Sequence, residues 1–189
     1  QPLKLTVDNH PKQCDPGATG FDLFSDKTVV AQRVNGELRD LSFQLQDGDS
    51  VEGIQIGSPD GLNILRHSTA HVLAQAVQAI NPEAKLGIGP PITDGFYYDF
   101  DVETSFTPED LKALEKSMEK IIKSGQRFIR RVTTDGEAKV ELSAEPYKLE
   151  LIGLKGSELG EGAAEVGSGD LTIYDNVDPQ TGATVWKDL

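Results

Sequence analysis

Apolar and polar positions alternate over Leu3-Lys4-Leu5-Thr6-Val7, the two-residue period of a half-buried strand. Val29 to Val34 and Glu37 to Leu41 flank Asn35-Gly36. An Asn-Gly pair accepts the positive φ of a tight turn, so this stretch predicts a β-hairpin. Gln46-Asp47-Gly48-Asp49 reads as a second turn leading into a strand over Ser50 to Ile56. Short strands, glycine turns and little helical pattern over about the first 60 residues predict a small β-rich module, with Gly57-Ser58-Pro59 as its exit.

The period then lengthens. Ser58-Pro59-Asp60 has the form of a helix start, and Asn81-Pro82 that of a stop, which predicts a helix from about Asp60 to Ile80. At about 100° per residue, Leu62, Leu65, Thr69, Val72, Leu73, Ala76 and Ile80 fall on one stripe. His67 and His71, four apart, share a face nearly opposite that stripe, displaced from the expected core. Leu86 to Val102 is rich in Gly, Pro and aromatics, with a turn at Thr93-Asp94-Gly95 and a strand expected over Phe96 to Phe100. On that strand Tyr97 and Tyr98 would face opposite sides. Thr107-Pro108-Glu109-Asp110 is a capping box opening the clearest helix, striped by Leu111, Leu114, Met118, Ile121 and Ile122 and ended by Gly125.

Beyond it, a strand over Arg127 to Thr133 and a short helix over Gly136 to Leu142 are expected, while Leu149 to Leu154 is ambiguous. Gly153 to Gly169 reads as loop, and Leu171 to Tyr174 with Thr184 to Lys187 reads as a hairpin around Asp178-Pro179-Gln180-Thr181-Gly182. The order predicts an α+β chain: a β-rich module at 1–60, then a domain at 61–189 mixing two main helices with antiparallel strands.

Charge sharpens this outline. The 189 residues carry a formal charge of −13, which argues against a nucleic-acid clamp working by bulk charge. Residues 61–131 nevertheless hold nine basic and nine acidic side chains, and there Lys116, Lys120, Lys123, Arg127, Arg130 and Arg131 form the one basic cluster. It reads either as a solvated helix face followed by a strand or as an RNA-facing patch. A single cysteine, Cys14, excludes an internal disulfide and suits a reducing, cytoplasmic compartment. No apolar run has the length of a membrane span, and Gln1 in place of an initiator methionine suggests a piece of a longer chain.

One constellation could carry chemistry. In Arg66-His67-Ser68-Thr69-Ala70-His71, two imidazoles one helical turn apart could ligate a metal or share an acid–base role. His10 and Cys14 are also four apart but lie in the other module, so no four-ligand set can be assembled in the second domain. Phosphate-binding, dinucleotide-binding and nucleophile-elbow motifs are all absent. By composition alone Lys148 is a surface lysine and Cys14 an ordinary buried or partly buried thiol.

Ile64-Leu65-Arg66-His67-Ser68-Thr69-Ala70-His71, then Leu86-Gly87-Ile88-Gly89-Pro90-Pro91-Ile92, then Gly95-Phe96-Tyr97-Tyr98-Asp99 closely resemble the amino-terminal region of bacterial threonyl-tRNA synthetases. The resemblance covers almost the whole chain. It implies a β-grasp TGS module over 1–60 and, over 61–189, the editing domain shared with alanyl-tRNA synthetases and their freestanding relatives. The family's first editing motif, His-x-x-x-His, matches His67 and His71. Its second, beginning Cys-Arg-Gly-Pro-His, follows a segment like Val185-Trp186-Lys187-Asp188-Leu189, where this chain ends. Lys148, Tyr98 and Asp188 match positions lining the editing pocket, and Gly89 matches the wall where substrate side chains are told apart.

The function so implied is hydrolysis of seryl-tRNA(Thr), with His67, His71 and Lys148 as catalytic groups and Gly89, Tyr98 and Asp188 binding substrate. Its partners would be the acceptor end of tRNA(Thr) and the remainder of a dimeric synthetase, with no membrane. Zinc, magnesium and ATP are implied only for the synthetic domain of such a parent, not for this stretch. The competing readings are a non-catalytic tRNA-contacting module and a freestanding metal-dependent deacylase, in which His67 and His71 would hold the metal.

Overall fold

A computed structural model of the protein describes residues 1–154 and 171–189, and the chain divides into two compact units, Gln1–Leu65 and Arg66–Leu189. The class is mixed α+β, as the sequence predicts. The loop expected over Gly153 to Gly169 falls almost wholly outside the described residues.

In the first unit, β1 (Leu3–Val7), β2 (His10–Cys14), β3 (Val29–Val34), β4 (Glu37–Arg39) and β5 (Ser50–Gln55) form one sheet in the order β2-β1-β5-β3-β4, with a short helix α1 (Gly20–Leu23). β1 and β5 run parallel, while the other neighbours are antiparallel. The predicted hairpin is present: Asn35 (φ 50°) and Gly36 (φ 84°) both take the left-handed conformation that a two-residue turn requires. Leu5, Leu23, Val34, Leu45 and Val51 make the core.

Two elements here have no counterpart in the hydrophobic pattern. Strand β2 is almost entirely exposed and polar, and it pairs with β1 because Asp8 and Asn9 adopt positive φ at the turn between them. Helix α1 is only four residues long.

In the second unit, α2 (Pro59–Ile80, which begins in the first unit) and α3 (Pro108–Lys123) are the long helices. A three-stranded antiparallel sheet has the order β10 (Arg127–Val132), β11 (Thr172–Val177), β12 (Thr184–Asp188). Thr107 caps α3 as expected, its side chain accepting from the Asp110 N–H while Asp110 accepts from the Thr107 N–H. Thr134 does the same for α4 (Asp135–Glu141).

The ambiguous stretch before residue 155 is helical, α5 (Pro146–Leu154). Ala138, Leu142, Leu151, Ile152, Leu171, Ile173 and Leu189 form one core between α4, α5 and the sheet. Ala76, Val77, Ala84 and Leu114 form another, packing α2 with α3.

The expected strand over Phe96 to Phe100 is instead two fragments. β8 (Gly95–Phe96) pairs with β7 (Pro91–Ile92), and β9 (Phe100–Asp101) pairs with β6 (Lys85–Leu86). Tyr97 and Tyr98 lie between them, outside regular strand. Gly and Pro in Gly87 to Pro91 break any long ladder, so only two-residue pairings form. No described helix is long and apolar enough to cross a membrane.

Candidate active site

The helix α2 buries only part of the stripe that the sequence suggests, with Val72 and Ala76 buried and Leu73 packed on the core with α3, and it also buries residues off that stripe. Leu65 and Ile80 on the predicted stripe are 42% and 51% exposed, whereas Ala70, Ala74 and Val77 are buried and His71 is 1% exposed. The expectation that the histidines stand away from the core is therefore corrected for His71. His71 is covered by the aromatic rings of Tyr174, Trp186 and Phe128 from the sheet.

Residues two apart on a strand share a face, and the register places Tyr174 opposite Asp188 and Asn176 opposite both Phe128 and Trp186. Toward this face α2 presents His67, His71, Gln75 and Gln78. The His71 ring lies 4.5 Å from that of His67, 5.4 Å from Tyr174 and 5.7 Å from Trp186. The Asn176 amide donates to the Gln75 side chain at 2.8 Å, and the Trp186 indole donates to that of Gln78 at 2.9 Å. Both bonds tie helix to sheet within two turns C-terminal to the histidine pair.

Lys148 is the largest departure from composition. It is fully buried, not a surface lysine, and its Nζ lies 3.1 Å from the Asp188 carboxylate, which is equally buried. Helix α5 explains the placement: Lys148, Leu151 and Ile152 sit at i, i+3 and i+4, so the lysine shares the helix's core-facing side. Asp188 shares its strand face with Trp186 for the corresponding two-residue reason.

Asp188 also accepts a 2.5 Å hydrogen bond from the Tyr98 hydroxyl and a 2.8 Å bond from the Leu189 N–H. Burial alone would raise its pKa. The Lys148 charge, His71 and these two donors outweigh that and hold it below the usual carboxylate range. His71, by contrast, is pushed down to about 3, chiefly by loss of water, so it is neutral at pH 7. Neither of its ring nitrogens has a hydrogen-bond partner among the described residues.

Tyr98 is brought to this spot by an extension of the β6–β9 pairing. The Gly87 N–H donates to the Asp99 carbonyl, and the Asp99 N–H to the Ile88 carbonyl, each at 2.8 Å. Gly89 then lies under the Tyr98 ring. A Cβ on Gly89 would stand 2.1 Å from Tyr98 Cδ2 and 2.6 Å from Cε2. On its own account Tyr98 stacks on Phe100, with ring centroids 4.8 Å apart, and its ring lies 5.3 Å from Lys148 Nζ.

Lys148, Asp188, Tyr98 and Gly89 are thus joined by direct contacts, and His71 and His67 by ring packing, with His71 in the field of Asp188. Tyr174 and Trp186, which enclose His71, are not signalled by any motif. Their alternation on β11 and β12 with Asn176 and Asp188 is the only trace in the sequence. A cleft of about 400 Å³ is lined by Ile88, Phe100, Leu151, Asp99, Asp101 and Glu150, and none of His67, His71, Gly89, Tyr98, Lys148 and Asp188 lines it.

Among the described residues, no group of three or more His, Cys, Asp and Glu side chains is arranged to hold a metal ion. His10 and Cys14 lie in β2 of the first unit, where the His10 ring bonds the Asp8 carbonyl at 2.8 Å and burial raises the half-buried Cys14 thiol. In the basic cluster, Arg131 is engaged by Glu141 and Asp175, while Lys116, Lys120, Lys123, Arg127 and Arg130 are exposed.

No family model matches the chain. It is 68% identical over 181 residues to the threonine–tRNA ligase of Leifsonia xyli subsp. xyli, covering 93% of this chain and 26% of that protein. It is 65% identical over 176 residues to the corresponding ligase of Streptomyces griseus, covering 92% and 27%. Against that of Pseudarthrobacter chlorophenolicus it is 58% identical, covering 100% and 29%. The chain therefore spans between a quarter and three tenths of the length of the curated relatives it matches. With identity this high along nearly every residue, the chain belongs to the bacterial threonine–tRNA ligases, as a stretch matching their amino-terminal region.

Proposed function

We propose that this stretch is the proofreading region of its ligase, hydrolysing the ester of serine mistakenly attached to tRNA(Thr). Serine lacks one methyl of threonine, and a missing group of that size gives a binding site only ~1–3 kcal/mol of discrimination. A second site that admits serine and sterically rejects the larger side chain removes the error afterwards.

The reading is carried by the buried Lys148–Asp188 pair, with Tyr98 bonded to it and the histidine pair beside it. A fully buried, oppositely charged pair costs desolvation, and such clusters are concentrated where charge develops during a reaction. In the proposed chemistry, water attacks the ester carbonyl carbon, and the resulting tetrahedral species expels the ribose oxygen, which takes up a proton as the alcohol. Serine leaves as the free acid.

Lysine as an ammonium ion only donates, so Lys148 serves the developing oxyanion rather than taking a proton. His71 is neutral and enclosed. His67, which is half-buried, is then the group that takes the proton from the water and returns it to the leaving oxygen. Asp188 and the Tyr98 hydroxyl orient the serine amino or hydroxyl group. The remaining partners are the tRNA acceptor end and the rest of the synthetase in the cytoplasm, with zinc, magnesium and ATP belonging to its synthetic domain.

The test is hydrolysis of seryl-tRNA(Thr) against threonyl-tRNA(Thr), with His67→Ala as control. Selective loss of the seryl ester, lowered at least a hundredfold by the substitution, is expected. Equal hydrolysis of both esters, or none, would overturn the reading, and salt-dependent tRNA binding without hydrolysis would leave a tRNA-contacting module in its place.

A further inference from the structure

The space beside Gly89 is filled by protein. A Cβ there would lie 2.1, 2.6 and 2.8 Å from three atoms of the Tyr98 ring, closer than any real side-chain contact. Gly89 itself is buried, and its neighbours Gly87 and Ile88 are bonded to Asp99, the residue after Tyr98, so neither backbone can retreat freely. The ring is also held on its own account by stacking on Phe100. From this seat the Tyr98 hydroxyl reaches Asp188, whose other carboxylate oxygen contacts Lys148.

We infer that Gly89 is a positioning residue: its missing side chain seats the Tyr98 ring, and through the Tyr98 hydroxyl it fixes the carboxylate of Asp188 against Lys148. In this view the glycine acts on the reaction at one remove, with the tyrosine ring standing between it and the pair. The inference deepens the proofreading function but can be tested separately from it.

The groups facing Asp188 are Lys148 from α5, His71 from α2, the Tyr98 hydroxyl and the Leu189 N–H. Of these, a methyl at position 89 disturbs Tyr98 directly. The experiment is a double-mutant cycle of Gly89→Ala and Tyr98→Phe in the full chain, read by the ¹³C carboxyl titration of Asp188 and by seryl-tRNA(Thr) hydrolysis. Both single variants should move the Asp188 titration upward, and each should lower hydrolysis by roughly ten- to a hundredfold, the size of one lost hydrogen bond to a charged group. The double variant should be no worse than Tyr98→Phe alone.

An Asp188 titration in Gly89→Ala equal to wild type, or effects that add in the double variant, would overturn the inference. Absence of hydrolysis in all four proteins would count against proofreading and leave the titration to decide the role of Gly89. If Gly89→Ala does not fold, the Tyr98→Ala background decides: recovery of the fold supports the seat, and failure to recover overturns it.

Discussion

Substituting Lys148 with methionine removes one charge from a pair in which both side chains are fully buried, at nearly unchanged volume. Among the described residues, the carboxylate of Asp188 then keeps the Tyr98 hydroxyl and the Leu189 N–H as hydrogen-bond donors, with His71 nearby. Removing one partner of a buried pair costs about 3–5 kcal/mol, because the other is left charged without water. Trp186, the sole tryptophan, lies two residues from Asp188, so its fluorescence in urea reports on the unit that carries the pair.

The double variant Lys148→Met with Asp188→Asn keeps an acceptor for Tyr98 without a charge, and it should recover most of the loss. The pH dependence has a definite sign. In the wild type the Asp188 pKa is depressed, so its contribution is complete above the unfolded value of ~3.9 and is lost as pH falls through the folded value. In Lys148→Met burial prevails and raises the pKa instead, so the deficit should shrink as pH is lowered. A loss below about 1 kcal/mol at pH 7, or a double variant no more stable than the single, would refute the account of the pair as a buried, mutually dependent unit.

Three further outcomes are expected. His71, at about 3, should show no imidazole titration in NMR spectra between pH 7 and 4.5, and stability should fall as pH drops from ~6.5 toward that value because only the unfolded state takes up the proton. Glu141, held down to about 2 by hydrogen bonds from Arg131 and Lys187, contributes stability above ~4.3 that disappears as pH falls toward 2, and Glu141→Gln should flatten that part of an acid-unfolding profile. Thr107→Ala removes the hydroxyl that accepts from the Asp110 N–H at the α3 cap and should cost about 1 kcal/mol in urea unfolding, whereas the conservative Thr107→Ser keeps that acceptor and should leave stability unchanged.

Elements whose local chemistry is self-sufficient were legible in the sequence. Leu3–Val7 alternates, Asn35-Gly36 supplies its own positive φ, and Thr107 with Asp110 closes its own cap. Those depending on distant chain were not. Strand β2 has almost no buried side chain and exists because β1 offers it a ladder across the Asp8-Asn9 turn. The stretch from Phe96 to Phe100 has strand-forming residues, but the glycines and prolines opposite it allow only two short pairings.

The same distinction governs the site. The histidine spacing was visible, but the burial of His71 depends on Tyr174 and Trp186, more than a hundred residues further along. Lys148 could have been found only by taking Leu151 and Ile152 as one helical face and asking what lay a turn before them. Resemblance to the family, rather than pattern, pointed to it.

The parallel pairing of β1 with β5 has a consequence for how the chain is made. Strand β1 gains its inner neighbour only from β5, the central strand and the last of its unit to be made, Thr6 and Val7 against Ser50 and Val51. Until β5 has emerged, the β1–β2 hairpin has no inner neighbour, and a lone two-stranded ribbon is marginal in water. Folding of this unit during synthesis should therefore switch on late and at once, so that the nascent chain stays unstructured through most of the unit's length and becomes protease-resistant within a few residues of Gln55 clearing the exit tunnel.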